Sequence, residues 1–274
     1  MAGVRIATWN VNSIRARIDR VADWLDHNDV DVLAMQEIKC REAQFPIGRL
    51  EELGYKVHMH GLDQWNGVAL ASRIPAEDVQ RDFPGQPAFR DRVEARAIGA
   101  TFDGVRVWSL YVPNGRTLDD PHYAYKLTWL RQLHEDAAGW LGEDPDARIA
   151  LVGDWNIAPR DEDVWDPAFF AGRTHVSPPE REAFAAFERD GFTDVVRPFA
   201  PKGYTYWDYK QLRFLRDEGM RIDFVLGSPA LSELVVNAFI DRGAREGVQP
   251  SDHVPVVVDL DVPGAFDEDR PMAF

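Results

Sequence analysis

The residues of this chain that can do chemistry sit in six short polar motifs, each at the end of an apolar run. They are Thr8-Trp9-Asn10-Val11-Asn12, Gln36-Glu37-Ile38-Lys39, Tyr111-Val112-Pro113-Asn114-Gly115, Gly153-Asp154-Trp155-Asn156, Arg221-Ile222-Asp223 and Ser251-Asp252-His253. A single Asn or Asp after a strand is ordinarily a turn former, because its side chain bonds the backbone two residues on. Strand ends that together supply carboxylates, amides and a histidine read instead as one converging site.

Each motif suggests a part of the chemistry. Glu37 beside Lys39 reads either as a surface ion pair or as a ligand for Mg²⁺, which takes one or two carboxylates and keeps several waters. Asp154 and Asn156 lie two apart after the strand Ile149-Ala150-Leu151-Val152, so they share a face and can hold a water, with Asp154 as base. Gly153 permits close backbone approach there. His253 precedes the strand Val254-Pro255-Val256-Val257-Val258, and Asp223 can accept one of its ring N–H groups and fix the tautomer. No Gly-x-Ser-x-Gly elbow is present and Cys40 has no evident activating setting, so water is the expected nucleophile. Asn10, Asn12, Tyr111 and Asn114 add neutral donors around a polyanionic transition state.

The elements that must position these groups follow from periodicity. Strands are expected at Val4–Trp9, Val30–Met35, Tyr55–His60, Gly67–Ser72, 93–100, Val105–Val112, Arg148–Val152, 204–207, Ile222–Leu226, Leu234–Ile240 and Val254–Leu260. Ser13 is the expected cap of a helix with Ile14, Ile18, Val21 and Leu25 on one face, ending near Asn28. A long helix is expected over 121–140 with Leu127, Leu130, Leu133 and Ala137 inward, and another over 178–190 with Phe184 and Phe187 packing. The two halves look loosely alike, which suggests two packed sheets. Many strands with a few long helices point to layered α/β. No linker divides the chain, so residues 1–262 are expected as a single domain and 263–274 as a tail.

Composition bounds the function class. The net charge of −15 argues against a protein that coats nucleic acid nonspecifically, while leaving room for an enzyme with a local basic face and a bound cation. The one cysteine excludes an intrachain disulfide and suits a reducing compartment. With neither a leader-like start nor a bilayer-length apolar run, a soluble intracellular protein that spans no membrane is expected.

Taken in order, the motifs resemble those of the exonuclease III family of apurinic/apyrimidinic endonucleases, within the endonuclease/exonuclease/phosphatase superfamily. The segment Gly67-Val68-Ala69-Leu70 belongs to the same series, and the resemblance covers roughly residues 4–260. It implies a four-layer α/β sandwich, two packed mixed β-sheets flanked by helices, in a monomer of the bacterial cytosol. It also implies Mg²⁺, with Mn²⁺ as a substitute, held by Glu37 with Asp252 nearby and Asn12 at a position that is acidic in some relatives. Having Asn at position 12 leaves open one metal or two. In the same way Asp154 would activate water with Asn156, Tyr111, Asn10 and His253 would contact the scissile phosphate, Asp223 would orient His253, and Lys39 would tune the metal site.

The aromatic–basic segment 204–221 carries the expectation of DNA. Aromatics stack on bases or line a sugar pocket, and basic side chains reach phosphates; the plainer reading is core aromatics followed by a solvated loop. In the family this region enters duplex DNA and walls a pocket for a flipped-out abasic sugar, whose extrusion costs little stacking. Tyr206, Trp207 and Met220 match the wall positions. With Asn114, Arg116, Lys210 and Arg213 they make up the expected substrate contacts. Gln211-Leu212-Arg213-Phe214-Leu215 also resembles a bacterial sliding-clamp-binding peptide. The implied activity is cleavage of double-stranded DNA 5′ to abasic sites, with 3′→5′ exonuclease and 3′-end cleaning. The rivals are a phosphatase or sphingomyelinase-like phosphodiesterase of the same superfamily, and a catalytically inactive DNA-binding member.

Overall fold

In a computed structural model, which describes residues 3–262, the apolar runs build two six-stranded sheets. The expected tail at 263–274 lies outside the described residues. The strands are β1 (Val4–Asn10), β2 (Val32–Gln36), β3 (Lys56–His60), β4 (Val68–Ser72), β5 (Glu77–Arg81), β6 (Ala97–Phe102), β7 (Val105–Tyr111), β8 (Ile149–Asp154), β9 (Thr193–Asp194), β10 (Asp223–Gly227), β11 (Val235–Ile240) and β12 (Val256–Leu260). The helices are α1 (Ile14–Asn28), α2 (Gly48–Glu51), α3 (Pro121–Glu143), α4 (Pro167–Phe170), α5 (Pro178–Arg189) and α6 (Pro229–Ser232).

The first sheet runs β11-β12-β1-β2-β4-β3 and the second β5-β6-β7-β8-β10-β9. Each has a parallel pair at its centre, β1–β2 and β7–β8, and antiparallel neighbours outside. A parallel pair needs a crossover connection, supplied here by α1 and α3. The likeness of the two halves is thus a β-α-β unit repeated at the heart of each sheet. The first and last strands are partners, with Val4 opposite Leu260.

Three apolar layers result. Ile6, Ala34, Leu70, Val107, Val152, Val225 and Val258 pack between the sheets. Trp9, Leu33 and Met35 pack with Val21 and Leu25 of α1. Leu110, Leu151 and Phe224 pack with Trp129 and Leu133 of α3 and with Phe184 and Phe187 of α5. Each Val, Leu, Ile, Phe or Met side chain among them contributes about 1.5–3 kcal/mol on full burial. The order is helix, sheet, sheet, helix, the four-layer α/β sandwich. Because both faces of the sheets are covered, β2, β4, β8 and β10 are buried throughout and read as unbroken apolar runs. Among the described residues no helix is long and apolar enough to cross a membrane.

The facing sides of the sheets change character toward one end, and this places the site. Alternation puts Ile6, Thr8 and Asn10 on one face of β1, and Val107, Ser109 and Tyr111 on one face of β7. Gln36 donates to Thr8 Oγ1 and Ser109 Oγ, both at 3.0 Å, so a polar layer crosses between the sheets above the apolar one. Beyond it stand the last residues of β1, β7 and β8 and the first of β10: Asn10, Tyr111, Asp154 and Asp223. In register, Tyr111 and Asp223 flank Asp154 on either side.

Several expectations are corrected. Ser13 makes no side-chain cap; its φ is 85°, and its N–H and that of Ile14 bond the carbonyls of Glu37 and Ile38, stitching the helix start to the Glu37 loop. Residues 204–207 form no strand, only single bridges from Tyr206 to Met220 and to His253. Thr205 Oγ1 instead takes the backbone N–H groups of Ile222 and Asp223, at 3.1 Å each, where a ladder would otherwise run. The strand expected at 93–100 begins only at Ala97, because Glu94 O accepts from the Gln86 amide and Arg96 turns onto the ring and carbonyl of Tyr111. On α3 the half-buried Leu127 yields its inward place to Tyr125, Lys126 and Trp129. The exposed, charged β5 and the two-residue β9 escape periodicity, as edge strands do.

Gly153 is the close approach on which β7 and β8 depend. Its φ is 143°, and a Cβ there would lie 2.0 Å from the Leu110 carbonyl oxygen. Gly153→Ala is expected to destabilise the protein by about 1–3 kcal/mol in denaturant unfolding, as overpacking does; a variant as stable as the parent would refute this packing.

Candidate active site

The site begins with one amide. Asn10 Nδ2 donates to Glu37 Oε1 at 2.8 Å and to Asp154 Oδ2 at 2.9 Å, so it joins an acid following β2 to the acid ending β8. Its orientation is set, because Asn10 Oδ1 accepts the Asn12 N–H at 3.0 Å. Both amide hydrogens are therefore engaged, and Asn10 acts here on the two carboxylates rather than standing free for a phosphate. Glu37 has φ 51°, a strained value for a non-glycine residue. The Gln36 carbonyl bonds Val11 N and the Glu37 carbonyl bonds Ser13 N, holding the turn.

His253 faces the same acid. Its Nδ1–H donates to Asp223 Oδ2 at 2.8 Å, and its Nε2 lies 3.7 Å from Asp154 Oδ2. Its own carbonyl accepts from Trp9 Nε1, and Ser251 Oγ bonds the Asn10 carbonyl, locking 251–253 against β1. Burial would lower the His253 pKa, but Asp223 and Asp154 outweigh it and push it up to about 10. The ring is thus a cation at neutral pH. Burial pushes Asp154 up to about 7 against the pull of His253, and the charges of Asp223 and Glu37 add to the rise. Burial, aided by Glu37, raises Tyr111 well above its usual value despite Arg96 over its ring, so its hydroxyl is a neutral donor.

The acids and their neighbours form a set that suits an oxygen-loving dication. Oxygens of Glu37 and Asp154 and a ring nitrogen of His253 lie within 4.8 Å of one another, and with His253 protonated the two carboxylates are the groups free to ligate. Asp223 Oδ1 is buried with no hydrogen-bond partner. A buried Asp154 whose pKa is raised further by the charges of Asp223 and Glu37 would be relieved by a divalent cation, and the oxygen donors fit Mg²⁺ chemistry. Lys39 lies 2.7 Å from Glu37 Oε2 and also donates to Asn12 Oδ1, while Asn12 donates to Asp252 Oδ1 at 2.9 Å. Asn12 and Asp252 are therefore a pair joined to Glu37 through the Lys39 ammonium. Burial would raise Glu37, but Lys39 and Asn10 hold it below its usual range.

This arrangement has known counterparts. The model of the endonuclease/exonuclease/phosphatase family matches residues 7–253. The chain belongs to that family. An exodeoxyribonuclease III of Haemophilus influenzae is 28% identical over 92% of this chain and 98% of its own length. The DNA repair nuclease APEX1 of Danio rerio is 29% identical over 95% of this chain and 83% of its own. Among solved structures, a 3′ phosphatase, NExo, from Neisseria, bound to a product DNA hairpin, superposes with a TM-score of 0.88 at 36% identity, covering 94% of this chain and 99% of that one. An AP endonuclease from Archaeoglobus fulgidus superposes equally well at 35% identity, over 94% and 100%.

The remaining residues place this family member's outer site. Asn156 N bonds Asp154 Oδ1 at 2.9 Å, and its Nδ2 donates to the Val112 carbonyl. Its Oδ1 accepts from Asn114 Nδ2 at 3.1 Å and from His175 Nε2 at 3.0 Å. His175, which sequence reasoning passed over, is held neutral by burial and by Lys126, which drop its pKa to about 3. Beside it opens a cavity of about 440 Å³ lined by Arg116, Phe170, Thr174, His175 and Met220. Tyr206 packs edge-on to His253 with ring centroids 4.9 Å apart.

Trp207 does not wall this cavity with its side chain. It is buried, donates its indole N–H to Asp217 and supports the Phe214 ring. Arg213 pairs with Glu218 at 2.9 Å and lies over Trp165 and Phe169, whereas Lys210 is exposed. Tyr209, one of the aromatics of the 204–221 segment, takes Arg17 on its hydroxyl, which in turn donates to the Pro250 carbonyl.

The electrostatics set a testable pH dependence. The folded protein binds the His253 proton more tightly than the unfolded chain does, with a pKa of about 10 against 6.5. Its contribution to stability is complete below the lower value and is lost as pH rises through the upper one. In EDTA the unfolding free energy should fall over that window, and Asp223→Asn should flatten the fall. Parallel profiles for the two proteins would contradict the assignment.

Proposed function

We propose that this chain is a DNA-repair nuclease, a Mg²⁺-dependent phosphodiesterase that cuts duplex DNA 5′ to abasic sites, leaving a 3′-hydroxyl. The same site is proposed to remove terminal nucleotides and blocking groups from 3′ ends. The observation that carries the reading is the facing of a buried acid, Asp154, and a protonated His253 across 3.7 Å, with Glu37 beside them. A base for water and a cation for phosphate oxygens are thereby within one atom's reach of each other. The DNA-directed names of the relatives agree with it, and a monomer acting in the bacterial cytosol is part of the proposal.

In the proposed reaction Asp154 accepts a proton from water, which attacks the phosphorus as the bond to the 3′-oxygen breaks. Asn156 steadies that water. The His253 imidazolium and the Tyr111 hydroxyl donate to the non-bridging oxygens, where charge grows in the transition state. Asp223 keeps His253 charged and aimed. Bound by Glu37, with Asn12 and Asp252 as the proposed outer partners, a divalent cation (Mg²⁺, with Mn²⁺ as a substitute) would neutralise phosphate charge and stabilise the leaving oxygen. Asp252 is proposed to help return a proton to that oxygen.

Asn114, Arg116, Tyr206 and Met220 are proposed to meet the sugar and its phosphates, and Lys210 the duplex backbone. Leu212 and Leu215 project from the same loop, 68% and 77% exposed. With the chain at −15 overall, these local basic and apolar contacts would have to overcome a repulsive far field.

Asp154→Asn is expected to bind a duplex carrying one abasic site as the parent does while losing at least about 10²–10³ in nicking rate, the scale of a lost transition-state group. EDTA should stop the parent on that duplex and on an undamaged recessed 3′ end. Nicking at parental rate by the variant would end the proposal.

A narrower proposal is that Gln211–Leu215 binds a bacterial sliding clamp. Phe214 is packed by Trp207, Arg242 and Arg245, so a clamp would meet chiefly the two leucines unless the loop unpacks. A Leu212→Ala/Phe214→Ala protein should lose retention on immobilised clamp; retention equal to the parent's discards it.

A further inference from the structure

Behind the site lies an ion pair that the reaction above does not use. Lys126 of α3 and Glu180 of α5 are bonded to each other, and both side chains are fully buried. Such a pair is a poor choice for stability, since its desolvation cost offsets much of the attraction and apolar replacements often do as well. Its partners suggest another reason for it.

An ammonium has three hydrogens to donate. Those of Lys126 go to Glu180 Oε1, to the Asn156 carbonyl at 2.6 Å and to the Asn114 carbonyl at 3.3 Å. Glu180 Oε1 also accepts Thr174 Oγ1 at 2.6 Å and His175 N at 2.9 Å, while Oε2 accepts both N and Oγ of Ser177. The pair therefore holds the backbones of Asn114, Asn156 and His175. These are the same three residues whose side chains meet at Asn156 Oδ1. They arrive on separate loops, one after β7, one after β8 and one before α5. Asn156 itself sits at φ 51°, a conformation that its neighbours must impose.

We propose that the Lys126–Glu180 pair is a positioning device for Asn156, fixing where its amide stands beside Asp154 by fastening three loops to one buried charge pair. The proposal rests on the nuclease reading. Neither residue touches substrate, so their effect should pass through Asn156. Lys126→Met is a usable probe, because Glu180 would keep four donors from Thr174, His175 and Ser177. The displacement expected at Asn156 is a fraction of an ångström to about 1 Å, which can cost on the order of 10²-fold in rate.

The experiment is a double-mutant cycle on an abasic duplex, read in single turnover with thermal melting alongside. The parent is assayed first; a parent inactive with Mg²⁺ overturns the nuclease reading itself. In an active parent, Lys126→Met should lower the rate constant by about 10- to 100-fold, with the half-saturating DNA concentration changed less than about twofold. In an Asn156→Ala background the same substitution should cost less than about twofold, because the amide through which it acts is gone. Equal losses in the two backgrounds, a loss confined to DNA affinity, or no loss overturns the proposal. Should Lys126→Met fail to fold, Glu180→Gln runs through the same cycle with the same criteria.

Discussion

The interaction on which the site depends is the double donation by the Asn10 amide, to Glu37 on one side and Asp154 on the other. It crosses the gap between the two sheets at the point where the inner faces stop being apolar. Two carboxylates with oxygens within 4.8 Å of each other would repel by about 3 kcal/mol at an effective dielectric of about 20. Two N–H groups aimed at them, the Lys39 ammonium on one and the His253 imidazolium near the other offset that repulsion. Sheet packing thus places the acids, and the acids in turn require the donors around them.

That compensation shapes the chemistry. Asp154 sits where burial raises its pKa to about 7, so a small change in local charge moves it between acid and base. His253 is locked as a cation by Asp223 and cannot serve as a base near neutrality. The two roles are separated by environment although the groups nearly touch. In a chain carrying −15, the site pairs its acids with cations, a local balance that the overall charge conceals.

The layered fold and the inner ring of the site were legible because both follow from short-period patterns. Apolar runs marked strands buried on both faces, and the polar residue at an end of each run marked Glu37 just after β2, Asp154 at the end of β8 and Asp223 at the start of β10. Asn10 was legible as a site residue, but its action on two acids rather than on phosphate needed the distance between the sheets. Trp207 was placed at the pocket wall by the family resemblance; nothing local in the sequence tells an exposed ring from one under a loop. His175 lies in a charged loop without periodicity, and its place beside Asn156 depends on the fold of α5. Lys126 was the legible signal that went unread. It stands three and four residues before Trp129 and Leu130, on the stripe that α3 buries. A lysine there has to have a buried partner.

The pairing of β1 with β12 has a consequence for when the protein becomes competent. Asn10 ends β1 and His253 leads into β12, so the residues that enclose the acids come from opposite ends of the described chain. Contacts of such long sequence separation form late, because the loop they close is nearly the whole molecule. While the chain is still being synthesised, β1 lacks its neighbour and Asp154 lacks its histidine. Assembly of the reactive centre therefore waits on β12, and the hydrolase would stay inert until the ribosome has delivered that strand.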